Sequence, residues 1–412
     1  MKVATCNQSP PRALPRHLTL LFALACGVAV ANVYFAQPLL VAIADELAIG
    51  RAAVGAVVTL TQVGYGLGLI LLVPLGDLLE RRRLVTAQAV LLALALTVVA
   101  TAGSAPVLLA GLAGVGLLAV LTQSLVAFAS VLAPDGERGR VVGLVTSGVV
   151  VGILLARTVA GLLAGLAGWR SVYAFSAVLS LLVAGALRRA LPRTLPRPDA
   201  AGYRPALRAL VRLPLREPVF RRRGLITMLV FASFSTLWSC VALPLSEEPL
   251  SLSPAAIGAF GLVGAAGALA AAPAGRLYDR GRGQWTVGLG LGLLALSWLP
   301  LALTRQSLWA LALGAILLDL AVQAVHVTNQ TMVLALDPAA GGRLIGGYMV
   351  FYSVGSAVGA IASTAVYAAA GWPGVCLLGA AFSLLALAAW SWTLRPRARS
   401  ADSSGGAAAP GC

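Results

Sequence analysis

The chain has 412 residues, 59% of them hydrophobic and 11% charged, with 30 Lys and Arg against 14 Asp and Glu for a net charge of +16. Soluble domains carry about 25% charged residues, so a water-soluble fold of this size would lack the polar side chains to cover its surface. The basic excess falls in short gaps between apolar runs, which is a topology signal for a membrane chain rather than a nucleic-acid footprint.

Residues 1–17 form a tail carrying Lys2, Arg12 and Arg16. The apolar run that follows is long enough to stay in the bilayer, so the tail reads as cytoplasmic and not as a cleaved signal. A spanning helix needs about 20 mostly apolar residues. Twelve stretches meet that need, at 18–40, 54–75, 85–102, 107–132, 141–166, 171–188, 224–245, 255–277, 285–303, 308–334, 345–370 and 374–393. They group into an N-terminal half, 18–188, and a C-terminal half, 224–394, joined by a basic linker, 189–223, and followed by a tail, 395–412. With the N-terminus inside, all basic residues but Arg51, Arg157, Arg170 and Arg305 fall in cytoplasmic segments. That imbalance places both termini in the cytoplasm of a multi-pass inner-membrane protein. In the linker, Arg204, Arg208, Arg212 and Arg216 recur every fourth residue beside Leu207, Leu210, Val211 and Leu215. Such a stripe fits a helix on anionic headgroups or a solvated tether, its length limited by Pro214 and Pro218.

Two internal matches show a duplication. "PLGDLLERRR" at 74–83 and "PAGRLYDRGR" at 273–282 agree in kind at Pro74, Gly76, Leu78, Glu80, Arg81 and Arg83. Farther on, Arg140, Gly143, Gly152, Gly168 and Trp169 match Arg343, Gly346, Gly355, Gly371 and Trp372. Two anchors at nearly one offset argue for halves of the same orientation, related by an axis along the membrane normal. Small residues at helical spacing (Gly64, Gly66 and Gly68; Gly143, Gly148 and Gly152; Gly258, Gly261, Gly264 and Gly267; Gly355 and Gly359) offer close helix contacts and sliding surfaces between halves. Gly76 and Gly275 are expected to allow close backbone approach at a helix end.

An all-α chain of twelve spans in two six-helix halves, each with a Gly-x-x-x-acid-Arg loop after its second helix, resembles the major facilitator superfamily. "ANVYFAQPLL" (31–40), "QVGYGLGLILLVPLGDLLERRRL" (62–84), "LLARTVAGLLAGLAGWR" (154–170) and "LLDLAVQAVHVTNQT" (317–331) are similar to its arabinose-efflux-permease-like and drug-efflux-like bacterial branch. Glu80 stands for the usual Asp, and the fifth span carries Arg157 without the proline usual in drug antiporters. The resemblance implies alternating access, a cavity lined by the first, fourth, seventh and tenth helices, and a conformational latch at Gly76, Glu80, Arg81, Gly275, Asp279 and Arg280. Positive charge setting topology would explain the arginines of these loops but not the Pro, Gly and acid.

Ionisable residues inside spans are costly and mark function. Arg157, Asp319 and His326 are the ones deep in the apolar runs. Asp319, Gln323, His326 and Gln330 share one face of the tenth span, since their spacing is i, i+4, i+7, i+11. A carboxylate there can carry a proton, and Arg157, at about the same depth in the other half, is placed to pair with it across the boundary. The alternatives are a structural hydrogen-bond seam for the stripe and self-contained satisfaction of Arg157 in its own half. Asn32, Tyr34, Gln37, Gln62, Gln123, Gln323, Asn329 and Gln330, with Tyr65 nearby, are the candidates for contact with a polar solute, or are packing glue. Trp238 and Trp298 suit apolar walls; Trp169, Trp309 and Trp372, at helix ends, suit interface anchors.

The five scattered cysteines make no disulfide or metal pattern, and the two histidines, His17 and His326, exclude a histidine-rich metal site. No nucleotide loop is present and "GLGLGLL" lies within a span, so the chain is expected to need no cofactor and to bind no nucleic acid. An intramembrane enzyme would need a nucleophile–base pair or metal ligands that the spans lack. The leading expectation is a monomeric, proton-coupled efflux carrier for a small organic solute. A proton-coupled importer of a metabolite and a non-transporting sensor are the alternatives.

Overall fold

The computed structural model describes residues 15–50, 53–134, 137–193, 202–264, 270–336 and 341–394. The tails at 1–14 and 395–412, part of the linker at 194–201, and Gly267 lie outside them.

Prolines, serines and glycines set the helix boundaries. α1 (Arg16–Tyr34) begins after Pro15 and gives way at Pro38 to a 3-10 turn (Gln37–Leu39), which leads into α2 (Leu40–Glu46). α3 (Gly55–Leu71) ends before the first repeated loop, which holds the short α4 (Leu75–Leu78). α5 (Arg81–Ala100) runs back, and α6 (Ala105–Ala119) with α7 (Leu121–Leu132) makes the fourth crossing. α8 (Arg138–Ala167) and α9 (Trp169–Ala190) meet at Gly168, whose φ of +77° only glycine adopts without strain. The linker forms α10 (Tyr203–Arg216).

In the second half, α11 (Pro218–Trp238) opens on a proline at its first position, where the missing N–H costs nothing. α12 (Ala242–Ser246) follows, and α13 (Pro254–Val263) starts at Ser253, which accepts from the Ala256 N–H. α14 (Ala271–Asp279) leads to the second repeated loop, α15 (Gly283–Ala302) returns, and α16 (Leu308–Leu334) begins at the capping Ser307. The final run, α17 (Gly341–Leu394), turns at Gly371 with φ +63°. Gly168 and Gly371, paired by the internal repeat, thus make the same left-handed corner in each half.

The chain is all-helical among the described residues. Nine helical stretches there are long and apolar enough to cross a membrane, against the twelve expected. The difference has two sources. Residues 344–394 run as one helical stretch through the Gly371 corner, and the expected second and eighth spans yield the shorter apolar helices Gly55–Leu71 and Pro254–Val263.

Within each half, small residues bring helix pairs to backbone contact. A Cβ on Gly148 or Gly152 of α8 would run into the carbonyls of Ala23 and Gly27 of α1, and one on Gly355 or Gly359 of α17 into those of Met228 and Ala232 of α11. Between halves, α3 lies on α17 and α8 on α13. Thr59 donates to the Ala357 carbonyl at 3.0 Å and Thr158 to the Gly258 carbonyl at 3.2 Å. The Gln37–Leu39 turn and α2 meet α12. The glycines therefore pack helices mainly inside each half; at the junction stand Gly55, which faces Ala360, Gly66, which faces Ser353, Gly258, which faces Gly161, and Gly261, which faces Arg157.

α10 packs on α3, α11 and α17. Tyr203 donates to the Leu71 carbonyl at 3.0 Å, and Leu213 rests on the Phe220, Val333, Leu344 and Tyr348 cluster. Arg204, Arg208, Arg212 and Arg216 stay exposed. Pro214 sits in the last turn, and the helix ends at Arg216 because Glu217, which precedes Pro218, is extended at φ −110°, ψ 97°.

Candidate functional site

Arg157 lies about two thirds of the way along α8, 4% exposed, on a helix with no other charge near it. Its Nε donates to Gln37 Oε1 at 2.7 Å. The break of α1 before Pro38 is what turns Gln37 toward it. The guanidinium carbon stands 4.0 Å from the centre of the Trp238 ring, with Tyr34 at 5.2 Å and Phe234 at 5.8 Å. A desolvated cation over an indole face gains about 2 kcal/mol. Nη2 is buried with no hydrogen-bond partner.

Asp319 of α16 is 7% exposed and accepts from Trp238 Nε1 at 3.0 Å. The expected direct pair with Arg157 is not formed. Trp238 comes between the two, receiving Arg157 on its ring face and giving its N–H to Asp319, while the charges remain within electrostatic reach. The physical reason is room: Gly261 and Gly264 leave space beside the Arg157 stem and the Asp319 carboxylate, so an indole and two long side chains fit in one layer. Arg157 belongs to the first half, and Trp238 and Asp319 to the second. The hydrogen bond of Arg157, to Gln37, stays within its own half, while its ring contact with Trp238 crosses to the other.

A second polar layer joins the halves. The hydroxyls of Tyr34 and Tyr352 are 2.6 Å apart. Tyr65 stands edge-on to Tyr352 and accepts from Gln123 Nε2 at 3.3 Å. Gln62 is buried here, its side-chain oxygen unpaired. Its backbone carbonyl accepts from Ser353. His326 packs against Phe231, Tyr348 and Tyr352, with Nδ1 3.3 Å from the Tyr348 hydroxyl. Gln323 and Gln330 are half-buried on the same helix as Asp319.

Other candidates stand apart from this centre. Asn32 gives its amide to the Val28 carbonyl at 2.8 Å and accepts from Ser176 at 2.7 Å, so it ties α1 to α9. Asn329 accepts from Arg223 Nη1 at 3.1 Å. Arg223 is 5% exposed on α11, which takes in the end of the segment expected as linker. Trp238 is a hydrogen-bonding bridge rather than an apolar wall. Trp298 is no cavity wall either: it donates to Ser233 at 3.0 Å and lies on Gly379. Trp169 and Trp372 are buried and donate inward, to Glu46 Oε2 at 2.7 Å and the Leu301 carbonyl at 2.8 Å, so they are not interface anchors. Trp309, 86% exposed, remains suited to that role.

In the first repeated loop, Arg81 donates to the Ala127 carbonyl of α7 at 3.2 Å and Glu80 pairs with Arg83 at 2.7 Å. Asp279 and Arg280 of the second loop are exposed. Close approach at the loop glycines is not found. A Cβ on Gly76 would meet only Leu84, at 4.0 Å, and one on Gly275 nothing within 4 Å. Both sit where the chain faces open space.

The sequence matches the model of the Major Facilitator Superfamily twice, over residues 22–245 and 224–410. It is 43% identical over 381 residues to the uncharacterized transporter YgaY of Escherichia coli O157:H7, covering 92% of this chain and 96% of that one. It is 25% identical over 349 residues to a "probable sugar efflux transporter" of Helicobacter acinonychis, covering 84% and 87%. The fold is similar to that of a bacterial homologue of the human lysosomal transporter Spinster in an inward-facing, occupied conformation, with TM-score 0.74, 17% identity and coverage of 91% and 96%.

Proposed function

The chain belongs to the major facilitator superfamily, a family of membrane transporters, and on that premise we propose that it is a secondary active carrier exporting a small organic solute across the cytoplasmic membrane in exchange for protons. Its termini lie in the cytoplasm, and the halves rock about the buried centre. The observation that carries this reading is the Arg157–Trp238–Asp319 set. A buried carboxylate and a buried cation, held on opposite halves and separated by one indole, form a charge pair whose balance changes when Asp319 takes a proton or when the halves part. The seam and glue readings of the polar residues fit Asn32 better than this centre, where Arg157 Nη2 and Gln62 Oε1 are left unpaired. Weak similarity to a relative named for sugar efflux makes sugars the first solutes to try.

A thermal-shift screen of the purified protein against sugars, metabolites and amphiphilic drugs identifies a ligand by its stabilisation. That ligand is then offered to proteoliposomes carrying an imposed pH gradient and an internal pH dye. Wild type shows saturable flux with proton movement in the opposite direction. Asp319→Asn, verified as folded by gel filtration, retains ligand stabilisation and loses proton movement. Proton-driven flux undiminished in that variant removes Asp319 from the mechanism, and flux that does not saturate removes the carrier.

A further inference from the structure

A groove of about 810 Å³ runs along the outside of the first half between α1, α8 and α9, away from the Arg157 centre. Its walls are apolar and open sideways: Leu24 is 58% exposed, Val151 51% and Phe175 49%. In a bilayer these faces meet hydrocarbon. One end differs. Arg16 and Arg140 line it, both exposed and neither in an ion pair among the described residues, with the Glu137 carboxylate beside them. α1 and α8 both begin at that end, and neither receives a side-chain cap. Two uncapped N-termini present free N–H groups and the positive ends of two helix dipoles. Among the described residues two guanidiniums stand against one carboxylate there, a field that favours an anion.

We propose that this groove is a binding site for an anionic glycerophospholipid, its headgroup held by Arg16 and Arg140 and its acyl chains lying against Leu24, Leu144, Val151 and Phe175. The shape excludes a free anion as the natural occupant, because the charged mouth continues into a long apolar trough that only an amphiphile fills. The groove also lies along the contact where Gly148 and Gly152 meet Ala23 and Gly27, so an acyl chain there covers the α1–α8 junction.

Native mass spectrometry of the full chain, purified in detergent and titrated with phosphatidylglycerol or phosphatidylcholine, tests the site. Wild type is expected to retain phosphatidylglycerol and to lose phosphatidylcholine. Arg16→Gln/Arg140→Gln lowers phosphatidylglycerol affinity about 25-fold, on the basis of roughly a fivefold loss per arginine. Arg188→Gln/Arg189→Gln, which removes the same charge from the end of α9, leaves it nearly unchanged. Val151→Trp fills the trough and abolishes retention with both arginines in place. Equal retention of the two lipids, an equal loss in the Arg188/Arg189 control, or full retention in Val151→Trp each overturns the assignment. The first would leave acyl burial alone, the second general charge alone, and the third a headgroup contact without a groove.

Discussion

Trp238 gives its indole N–H to Asp319 at 3.0 Å while its ring carries Arg157 at 4.0 Å. One side chain thus serves a buried anion through its edge and a buried cation through its face. Trp238→Phe keeps the face and removes the donor, leaving a carboxylate oxygen unpaired at a cost of about 1–3 kcal/mol. Trp238→Ala removes both and leaves a void, costing about 3–5 kcal/mol. Unfolding temperatures in detergent should fall in the order wild type, Phe, Ala. A Phe variant as stable as wild type would mean that the N–H contributes nothing.

Arg157 and Asp319 balance each other without touching. Removing one leaves the other as an uncompensated buried charge, about 3–5 kcal/mol worse. Arg157→Gln and Asp319→Asn are each expected to unfold earlier than the double variant. Strict additivity of the two losses would show that the charges do not feel one another. Arg157→Lys should not substitute, because an ammonium cannot bond Gln37 and stack on Trp238 together.

The Tyr34–Tyr352 hydroxyl pair, 2.6 Å apart, holds the halves together at their centre. Deleting either hydroxyl weakens the closed arrangement by about 1 kcal/mol, roughly a fivefold change in population. Spin labels at Asp45 and Glu248, both exposed beside the α2–α12 contact, in a chain without native cysteines, should show a larger separated population in Tyr34→Phe. The double variant with Tyr352→Phe should add only the loss of the side-chain hydrogen bond between Gln62 and Tyr352, since the bond between the two hydroxyls is already gone. Identical distance distributions in all variants would exclude the pair as a closing contact.

Glycines that look alike in the sequence should behave oppositely. Gly116→Ala drives a methyl into the Thr61 carbonyl of α3 and is expected to abolish folded protein. Gly275→Ala meets open space inside helix α14 and should stabilise by up to about 1 kcal/mol. Yields on gel filtration and unfolding temperatures separate the two. A folded, stable Gly116→Ala would mean that α3 and α6 are not in backbone contact.

Arg81, at the end of the first repeated loop, donates to the Ala127 carbonyl of α7 at 3.2 Å. Arg81→Gln is expected to slow transport several-fold with ligand stabilisation intact, the pattern of a latch rather than a binding residue. Loss of membrane insertion in that variant would instead assign the arginine to topology.

Hydrophobicity, the positions of the basic residues and the duplicated motifs depend on composition and order alone, so the sequence by itself determined a membrane-embedded, all-helical chain with a repeat. It also determined that Arg157 and Asp319 are the costly groups, because an ion in an apolar run stands out whatever its partner. Which atoms satisfy those groups was decided by tertiary structure. Trp238 reads as one more apolar residue until α11, α8 and α16 are brought together, and Arg223 reads as linker charge until it meets Asn329. Gly76 and Gly148 carry the same letter, yet one faces open space and the other the Ala23 carbonyl. Helix-to-helix distance and rotation set these outcomes, and both arise only from the packing of segments remote in the chain.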